Sequence, residues 1–125
     1  MTKKVFLNDK IVDSDKACVP ADDAGFLYGA GLFETMRAYN GVVFRLDEHT
    51  ERLAHSVTAL NIAEELDKDL IKDAVYRTLQ ANELSEARLR LTFTGGPLRT
   101  EDQQPAQTLL VTATRAFSYP QEYYD

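Results

Sequence analysis

The sequence contains no tryptophan, one cysteine and two histidines among its 125 residues. A single cysteine cannot form an internal disulfide, so an oxidising compartment is not implied. No apolar run approaches the roughly 18 residues that span a bilayer, and the first ten residues lack the apolar segment of a secretory signal. We therefore expect a cytoplasmic protein in which Cys18 is a small, partly buried loop residue and not a nucleophile.

Positive charge is also in short supply. Acidic residues outnumber basic ones by 20 to 14, which gives a formal net charge of −6. This net negative charge repels nucleic acid and acidic membranes, so neither is an expected partner. Any anion that binds here must be held by a few local arginines. The hydrophobic content of 44% and the charged content of 27% are typical of one globular domain.

Period-two patterns and turn residues predict six short strands. The strongest local signal is Asn40-Gly41, the dipeptide preferred in type I′ turns, which lies between two apolar runs. Residues 20–31 are rich in Asp, Ala and Gly and are predicted to form a loop. The predicted strands are 5–7, 11–12, 32–39, 42–44, 87–94 and 108–117.

Two amphipathic helices are predicted between the fourth and fifth strands. The first, over 47–61, places Leu53, Val57 and Leu60 on one face, with Leu46 one heptad before Leu53. The second follows the capping residue Asp67. In the second helix an apolar stripe is expected from Ile71, Val75 and Leu79, widened by Leu70 and Ala74. The element order lacks strand–helix alternation, so we expect an α+β fold: a mainly antiparallel sheet with two helices packed on it.

Several common sites find no support in the sequence. His49 and His55 are six residues apart on a helix and point about 120° away from each other, so a metal site is not expected. Gly29-Ala30-Gly31 precedes a strand and not a helix, which excludes a dinucleotide fingerprint. No serine stands in a recognised nucleophile motif.

Arginines are the most informative polar residues. Arg88 and Arg90 lie two apart on the polar face of a predicted strand, where they could grip a carboxylate or phosphate or could simply be solvated. Arg37 alternates with Phe33 and Thr35 and allows the same two interpretations. Arg52 follows Glu48 by four residues, the spacing of an ordinary helical ion pair.

Glu34 is the one carboxylate inside an apolar strand. Burial could perturb its pKa, but we favour a structural role as a hydrogen-bond anchor.

Three segments resemble the N-terminal domain of class IV aminotransferases. They are YGAGLFE at Tyr28–Glu34, FRLDEHTERL at Phe44–Leu53 and RLRL at Arg88–Leu91. The family comprises the pyridoxal-phosphate enzymes of fold type IV, including branched-chain and D-amino acid aminotransferases and aminodeoxychorismate lyase. The resemblance covers nearly the whole chain, with the segments in the family's order.

The resemblance implies roles for individual residues. Arg52 matches the arginine that binds the phosphate of pyridoxal 5′-phosphate, while Tyr28, Phe33 and Arg37 match positions that line the substrate pocket. Arg90 matches a residue that contacts the substrate carboxylate, and Arg88 would lie beside it on the same face. A loop from a second subunit completes the pocket in this family, which implies a homodimer that acts on an amino acid and a 2-oxo acid.

The resemblance also implies what this chain does not contain. The family's Schiff-base lysine and the glutamate that pairs with the cofactor ring nitrogen lie in a larger C-terminal domain. We therefore expect residues 1–117 to be the small domain and 118–125 to begin a linker, and we expect this chain alone to have no catalytic residue and no activity. Two alternatives remain open: a lyase acting on aminodeoxychorismate, and a stand-alone binding or assembly domain.

Substrate specificity is not fixed by the resemblance. Branched-chain enzymes usually have a tyrosine where Arg88 stands, and D-amino acid enzymes carry an arginine and a histidine in the following loop, which here has Arg99 and no histidine. Arg88 with Arg90 could form a different carboxylate trap, for D-amino acids or for dicarboxylates.

Overall fold

The structure, a computed structural model, describes residues 3–98 and 106–117. Within these residues six strands form one sheet in the order β2-β1-β6-β5-β3-β4, and every neighbouring pair is antiparallel. The predicted α+β class is therefore confirmed. The strands are β1 Lys4–Leu7, β2 Lys10–Asp13, β3 Gly31–Tyr39, β4 Val42–Val43, β5 Ala87–Thr94 and β6 Thr108–Arg115.

Three α-helices accompany the sheet: α1 Ala24–Tyr28, α2 Leu46–Ala59 and α3 Lys68–Ala81. The predicted stripe of α3 is correct at Ile71, Ala74, Val75 and Leu79, which are all buried. It is wrong at Leu70, which is 39% exposed because it lies on the flank of the helix. The stripe predicted for α2 is correct at Leu53 and Val57 but wrong at Leu60, which is 63% exposed because α2 ends at Ala59 and Leu60 is its C-terminal cap. Asp67 caps α3 as predicted, since its side chain accepts a hydrogen bond from the backbone N–H of Leu70 at 3.1 Å.

The hydrophobic core lies between the sheet and the pair α2–α3. Alternate residues of the central strands, such as Met36, Leu89 and Val111, pack against Leu53 and Val57 of α2 and the apolar stripe of α3. Because side chains alternate along a strand, the intervening residues lie on the opposite face of the sheet, here called the outer face. The outer face consists of Phe33, Thr35 and Arg37 on β3, Arg88, Arg90 and Thr92 on β5, and Leu110, Thr112 and Thr114 on β6.

The turn between β3 and β4 has the geometry that the sequence predicts. Asn40 and Gly41 have φ angles of 51° and 80°, both in the left-handed region that a type I′ turn requires. The return strand β4 is shorter than predicted and ends at Val43, and β6 ends at Arg115 instead of residue 117. The expected linker at 118–125 lies outside the described residues.

Helix α1 falls where a loop was predicted, and the prediction for 20–31 is therefore wrong in part. Five residues are too few to show helical periodicity, but the helix carries both of its end signals. The Asp23 side chain accepts hydrogen bonds from the backbone N–H groups of Gly25 and Phe26, and Gly29 ends the helix at a φ of 71°.

Two further expectations concern the cysteine and membranes. Cys18 is exposed and not partly buried, because the segment that carries it lies at the surface. Within residues 3–98 and 106–117, no helix has the length and apolar character needed to cross a bilayer.

Candidate functional site

Four of the arginine and aromatic residues singled out above lie together on the outer face. In the β3–β5 register, Arg37 is opposite Arg88 and Thr35 is opposite Arg90. Phe33 is one step further along β3, opposite Thr92. Two neighbouring strands thus bring the predicted pocket residues Phe33, Arg37, Arg88 and Arg90 into one cluster on a sheet face that α2 and α3 leave uncovered.

Aromatic rings hold two of these guanidinium groups. The guanidinium carbon of Arg90 lies 4.4 Å from the ring centroid of Phe33, and that of Arg37 lies 4.7 Å from the ring of Tyr39. Arg37 also donates a hydrogen bond from Nη2 to Oε2 of Glu86 at 3.2 Å. Stacking on a ring leaves the N–H edge of Arg90 directed away from the ring and available to an anion.

Arg88 differs from its neighbours because its guanidinium lies over no aromatic ring of the described residues. Its side chain is exposed, and no carboxylate within residues 3–98 and 106–117 is paired with either Arg88 or Arg90. Neighbours on one face of a strand are two residues apart, about 7 Å, so the two guanidinium groups can reach one bidentate anion or two carboxylates of a longer one.

Arg52 occupies a different place, on the helix side of the sheet. It is exposed on α2, and its Nε and Nη2 donate hydrogen bonds to Oε1 and Oε2 of Glu34 on β3 at 2.8 and 2.9 Å. The hydrogen bond and the negative charge of Glu34 raise the pKa of Arg52 above its ordinary value. The ion pair with Glu48 that the helical spacing indicates is therefore wrong. Arg52 pairs instead with the buried carboxylate of Glu34, which fits the guanidinium edge. The anchoring role favoured for Glu34 is confirmed.

His49, one turn before Arg52 on α2, completes this cluster. Its Nδ1 lies 3.2 Å from Nη2 of Arg52 and 3.6 Å from Oε1 of Glu34. Of the five N–H groups of Arg52, those on Nη1 have no partner among the described residues. Arg52 also lines a shallow cavity of about 170 Å³, together with Leu32, Phe33, Glu34, Leu53 and Ser56.

The remaining predicted residue, Tyr28, stands apart from both clusters. It ends α1 with 71% of its surface exposed. No hydrogen bond, ring contact or shared cavity joins it to the outer-face arginines within the part of the chain that the structure describes. A groove of about 420 Å³ does lie between α1 and the sheet, where Phe26, Gly29 and Phe33 meet Thr92 and Leu110.

A buried carboxylate that the sequence analysis missed fixes α1 in place. Asp23 is 1% exposed, and its Oδ2 accepts hydrogen bonds from the hydroxyls of Thr94 and Thr108 at 2.8 and 2.7 Å. Burial alone would raise the pKa of this carboxyl, but its hydrogen bonds to Thr108, Thr94, Gly25 and Phe26 outweigh burial and lower the pKa below the ordinary value. The Asp before a five-residue helix and the Gly after it were the available signals.

Fold and site define an α+β domain with two arginine sites. Arg52 is fixed on Glu34 of β3, and Arg88 and Arg90 lie on the outer face of the sheet. The sequence pattern of the family described as amino-transferase class IV matches residues 31–125, which is most of the chain. The chain belongs to the class IV aminotransferase family. Enzymes of this family use pyridoxal 5′-phosphate.

Curated relatives carry different activities in their names. The chain is 47% identical over 93 residues to a putative branched-chain-amino-acid aminotransferase of Methanocaldococcus jannaschii, covering 74% of this chain and 32% of that protein. It is 35% identical over 94 residues to aminodeoxychorismate lyase of Bacillus subtilis, with the same coverage. It is 28% identical to D-alanine aminotransferase of Bacillus licheniformis, covering 94% and 41%. The chain spans about a third to two fifths of the length of these relatives.

A solved structure gives the same fold. The branched-chain amino acid aminotransferase from Escherichia coli superimposes with a TM-score of 0.79 at 24% identity, covering 93% of this chain and 42% of that one. At this identity the likeness confirms the architecture of the domain.

Proposed function

We propose that this chain is the small N-terminal domain of a pyridoxal-phosphate aminotransferase that moves an amino group between an amino acid and a 2-oxo acid. Residues 1–117 would form the domain, 118–125 would begin the linker, and a C-terminal domain would supply the lysine that binds the cofactor. The complete enzyme would be a cytoplasmic homodimer. The observation that carries the proposal is Arg52, whose Nη1 edge has no partner among the described residues while its other edge is fixed on Glu34.

The residues present suit the phosphate group of the cofactor. A phosphate is a dianion that accepts paired hydrogen bonds, and the Nη1 edge of Arg52, a residue that lines a cavity of about 170 Å³, offers N–H donors. When bound, the cofactor supplies an electron sink for amino transfer. The contribution of this chain would be to hold the phosphate end of the cofactor through Arg52.

The outer face supports the second half of the proposal, the binding of a substrate carboxylate. Arg90, held over Phe33, would bind the carboxylate, with Arg88 beside it. Arg37, engaged by Glu86 and Tyr39, would form the wall of the pocket. Because the net charge of the chain is −6, these arginines must act locally, in a pocket closed by another domain or subunit. Tyr28, which has no contact with them among the described residues, would line the pocket of the partner subunit.

A second candidate function is a lyase activity, because one of the relatives is an aminodeoxychorismate lyase. The 35% identity to aminodeoxychorismate lyase of Bacillus subtilis supports a lyase on the same scaffold, which would release pyruvate instead of transferring the amino group. Branched-chain and D-amino acid substrates remain the two aminotransferase alternatives, and Arg88 beside Arg90 is the feature on which they would differ.

The test uses protein produced from the complete gene. The purified protein is assayed for amino transfer to 2-oxoglutarate from L-leucine, L-valine, D-alanine and D-glutamate, and separately for pyruvate release from aminodeoxychorismate. Amino transfer from one of these donors, with cofactor absorbance bound to the protein, is the expected result. Pyruvate release without amino transfer would favour the lyase. Absence of both activities and of bound cofactor would contradict the proposal and favour a binding or assembly domain.

A further inference from the structure

The surroundings of Arg52 decide how an exposed arginine can bind an anion specifically. An isolated guanidinium on a helix surface rotates among many conformers, and each bound anion must pay the entropy of fixing it. Here the side chain is 64% exposed, so packing does not hold it. The restraint comes from Glu34, whose side chain is only 11% exposed and lies on a rigid strand.

Glu34 selects one orientation of the guanidinium. Both carboxylate oxygens accept from one edge of the group, Nε and Nη2, at 2.8 and 2.9 Å, which is the parallel bidentate geometry. This pairing fixes the plane of the guanidinium and points the opposite edge, Nη1, away from the strand. Because Glu34 is anchored by β3 and Arg52 by α2, the arrangement is set by the fold.

His49 makes a further contact with the guanidinium of Arg52. In the tautomer that carries its proton on Nε2, Nδ1 accepts the second hydrogen of Nη2, at a separation of 3.2 Å. Glu34 and His49 together then occupy three of the five N–H groups of Arg52. The two that remain are on Nη1, and Arg52 is one of the residues that line the shallow cavity.

We infer that Glu34 is a positioning residue for an anion site on Arg52, fixing the guanidinium so that its Nη1 edge receives a phosphate, with His49 as the second restraint. The identity of that phosphate as the cofactor's rests on the proposed function. The positioning role itself needs only an arginine that binds phosphate.

The sign of a mutational effect separates positioning from simple charge. If Glu34 only neutralises Arg52, then Glu34→Gln should strengthen phosphate binding, because a negative charge beside the anion is removed. If Glu34 positions Arg52, the same change should weaken binding, because an amide offers one acceptor oxygen in place of two. Glu34→Asp keeps the charge but shortens the reach, so positioning predicts weaker binding and neutralisation predicts unchanged binding.

The 125-residue chain is suitable for the measurement because its hydrophobic core is contained within it. The chain is labelled with ¹⁵N, and the Nε–H resonance of Arg52 is assigned by its loss in Arg52→Lys. Inorganic phosphate is then titrated at constant ionic strength. Glu48→Gln is the matched control, because it removes one negative charge from an exposed side chain of α2, the helix that carries Arg52.

We expect phosphate to shift the Arg52 resonance in the wild-type chain, and we expect both Glu34 variants to bind it about tenfold more weakly. Glu48→Gln should bind as tightly as wild type or slightly more tightly, and His49→Asn, which keeps an acceptor, should lose less affinity than His49→Ala. Unchanged or tighter binding by folded Glu34→Gln and Glu34→Asp would overturn the inference, as would no shift of the Arg52 resonance in the wild-type chain. If the binding order holds but the complete protein transfers no amino group, the proposed function fails and the positioning role stands.

Discussion

Arg37 and Arg88 lie directly opposite each other in the antiparallel pair β3–β5, so two guanidinium groups share one step of the outer face. Like charges in directly opposed positions destabilise a sheet. Glu86 offsets the repulsion by accepting a hydrogen bond from Arg37. Arg88 has no such partner among the described residues, and a sheet assembled for stability alone would place another side chain there. This is the pattern expected of a binding residue that the fold tolerates at a cost.

The first prediction follows from this opposition. Arg88→Thr should stabilise the domain by about 0.5 kcal/mol, because it removes the repulsion and places a β-branched residue in a strand. In the complete enzyme the same change should raise KM for the 2-oxo acid. Urea unfolding of the chain and steady-state kinetics of the complete protein measure the two effects.

Arg115→Thr is the control for Arg88→Thr, since Arg115 is exposed near the end of β6 and lies opposite Ala87 rather than another cation. It should change neither quantity appreciably. Loss of stability in Arg88→Thr alone would show that Arg88 supports the sheet and would remove the argument from repulsion.

Local sequence signals predicted those parts of the fold in which a short segment determines its own conformation. Asn40-Gly41 is such a case, because both residues tolerate the positive φ that a type I′ turn needs. The alternation in β5 is another, because one face of the strand is core. Helix α1 was missed because its conformation depends on Asp23, whose hydroxyl partners Thr94 and Thr108 lie 71 and 85 residues further along the chain.

The candidate site shows the same division. Arg88 and Arg90 could be assigned to one face from their spacing alone. The partner of Arg52 could not, because spacing along the helix favours Glu48 and only the packing of α2 on β3 brings Glu34 within 2.8 Å. Contacts between segments that are far apart in the sequence depend on the tertiary fold, and residue spacing in a single sequence does not predict them.

The second prediction concerns the buried carboxylate of Asp23. Asp23→Asn should destabilise the domain by about 1–3 kcal/mol, because the amide nitrogen cannot accept the hydrogen bonds of Thr94 and Thr108. Thermal and urea unfolding at neutral pH measure the loss. Asp22→Asn makes the same charge change at the neighbouring exposed residue and should cost little.

The pH dependence of Asp23 has a definite sign. Its pKa in the folded chain is lowered from an ordinary value of 3.8, so the stability it contributes is complete above that value and is lost as the pH falls through the folded pKa. The difference in unfolding free energy between wild type and Asp23→Asn should therefore shrink below about pH 3.8. A difference that stays constant from neutral pH into this acidic range would contradict the assignment of the effect to the ionised carboxylate.

The third prediction tests the turn that closes β3 and β4. Gly41→Ala should destabilise the domain by about 1 kcal/mol, because an L-residue is strained at a φ of 80°. Apart from its two chain neighbours, no described residue has an atom within 4 Å of the added Cβ, so the cost is conformational and not steric. Gly95→Ala is the control: its added Cβ would lie 3.6 Å from that of Ala24, an ordinary contact. Equal effects of the two substitutions, measured by urea unfolding, would argue against a backbone origin.

The fourth prediction separates the two roles of Arg52, as partner of a buried carboxylate and as phosphate ligand. Arg52→Lys keeps a cation beside Glu34 but loses the planar fork, so it should unfold at nearly the wild-type temperature while retaining cofactor about tenfold less tightly. Arg52→Ala should lose cofactor to a greater extent and also lower the unfolding temperature, because Glu34 is left buried without its partner.

Adding Glu34→Gln to Arg52→Ala should restore the unfolding temperature, since an amide tolerates burial better than an unpaired carboxylate, but should not restore cofactor retention. Dialysis of the complete protein followed by absorbance of the retained cofactor, with thermal unfolding of the same samples, gives both quantities. Wild-type retention by Arg52→Ala would remove Arg52 from the phosphate site, whatever its effect on stability.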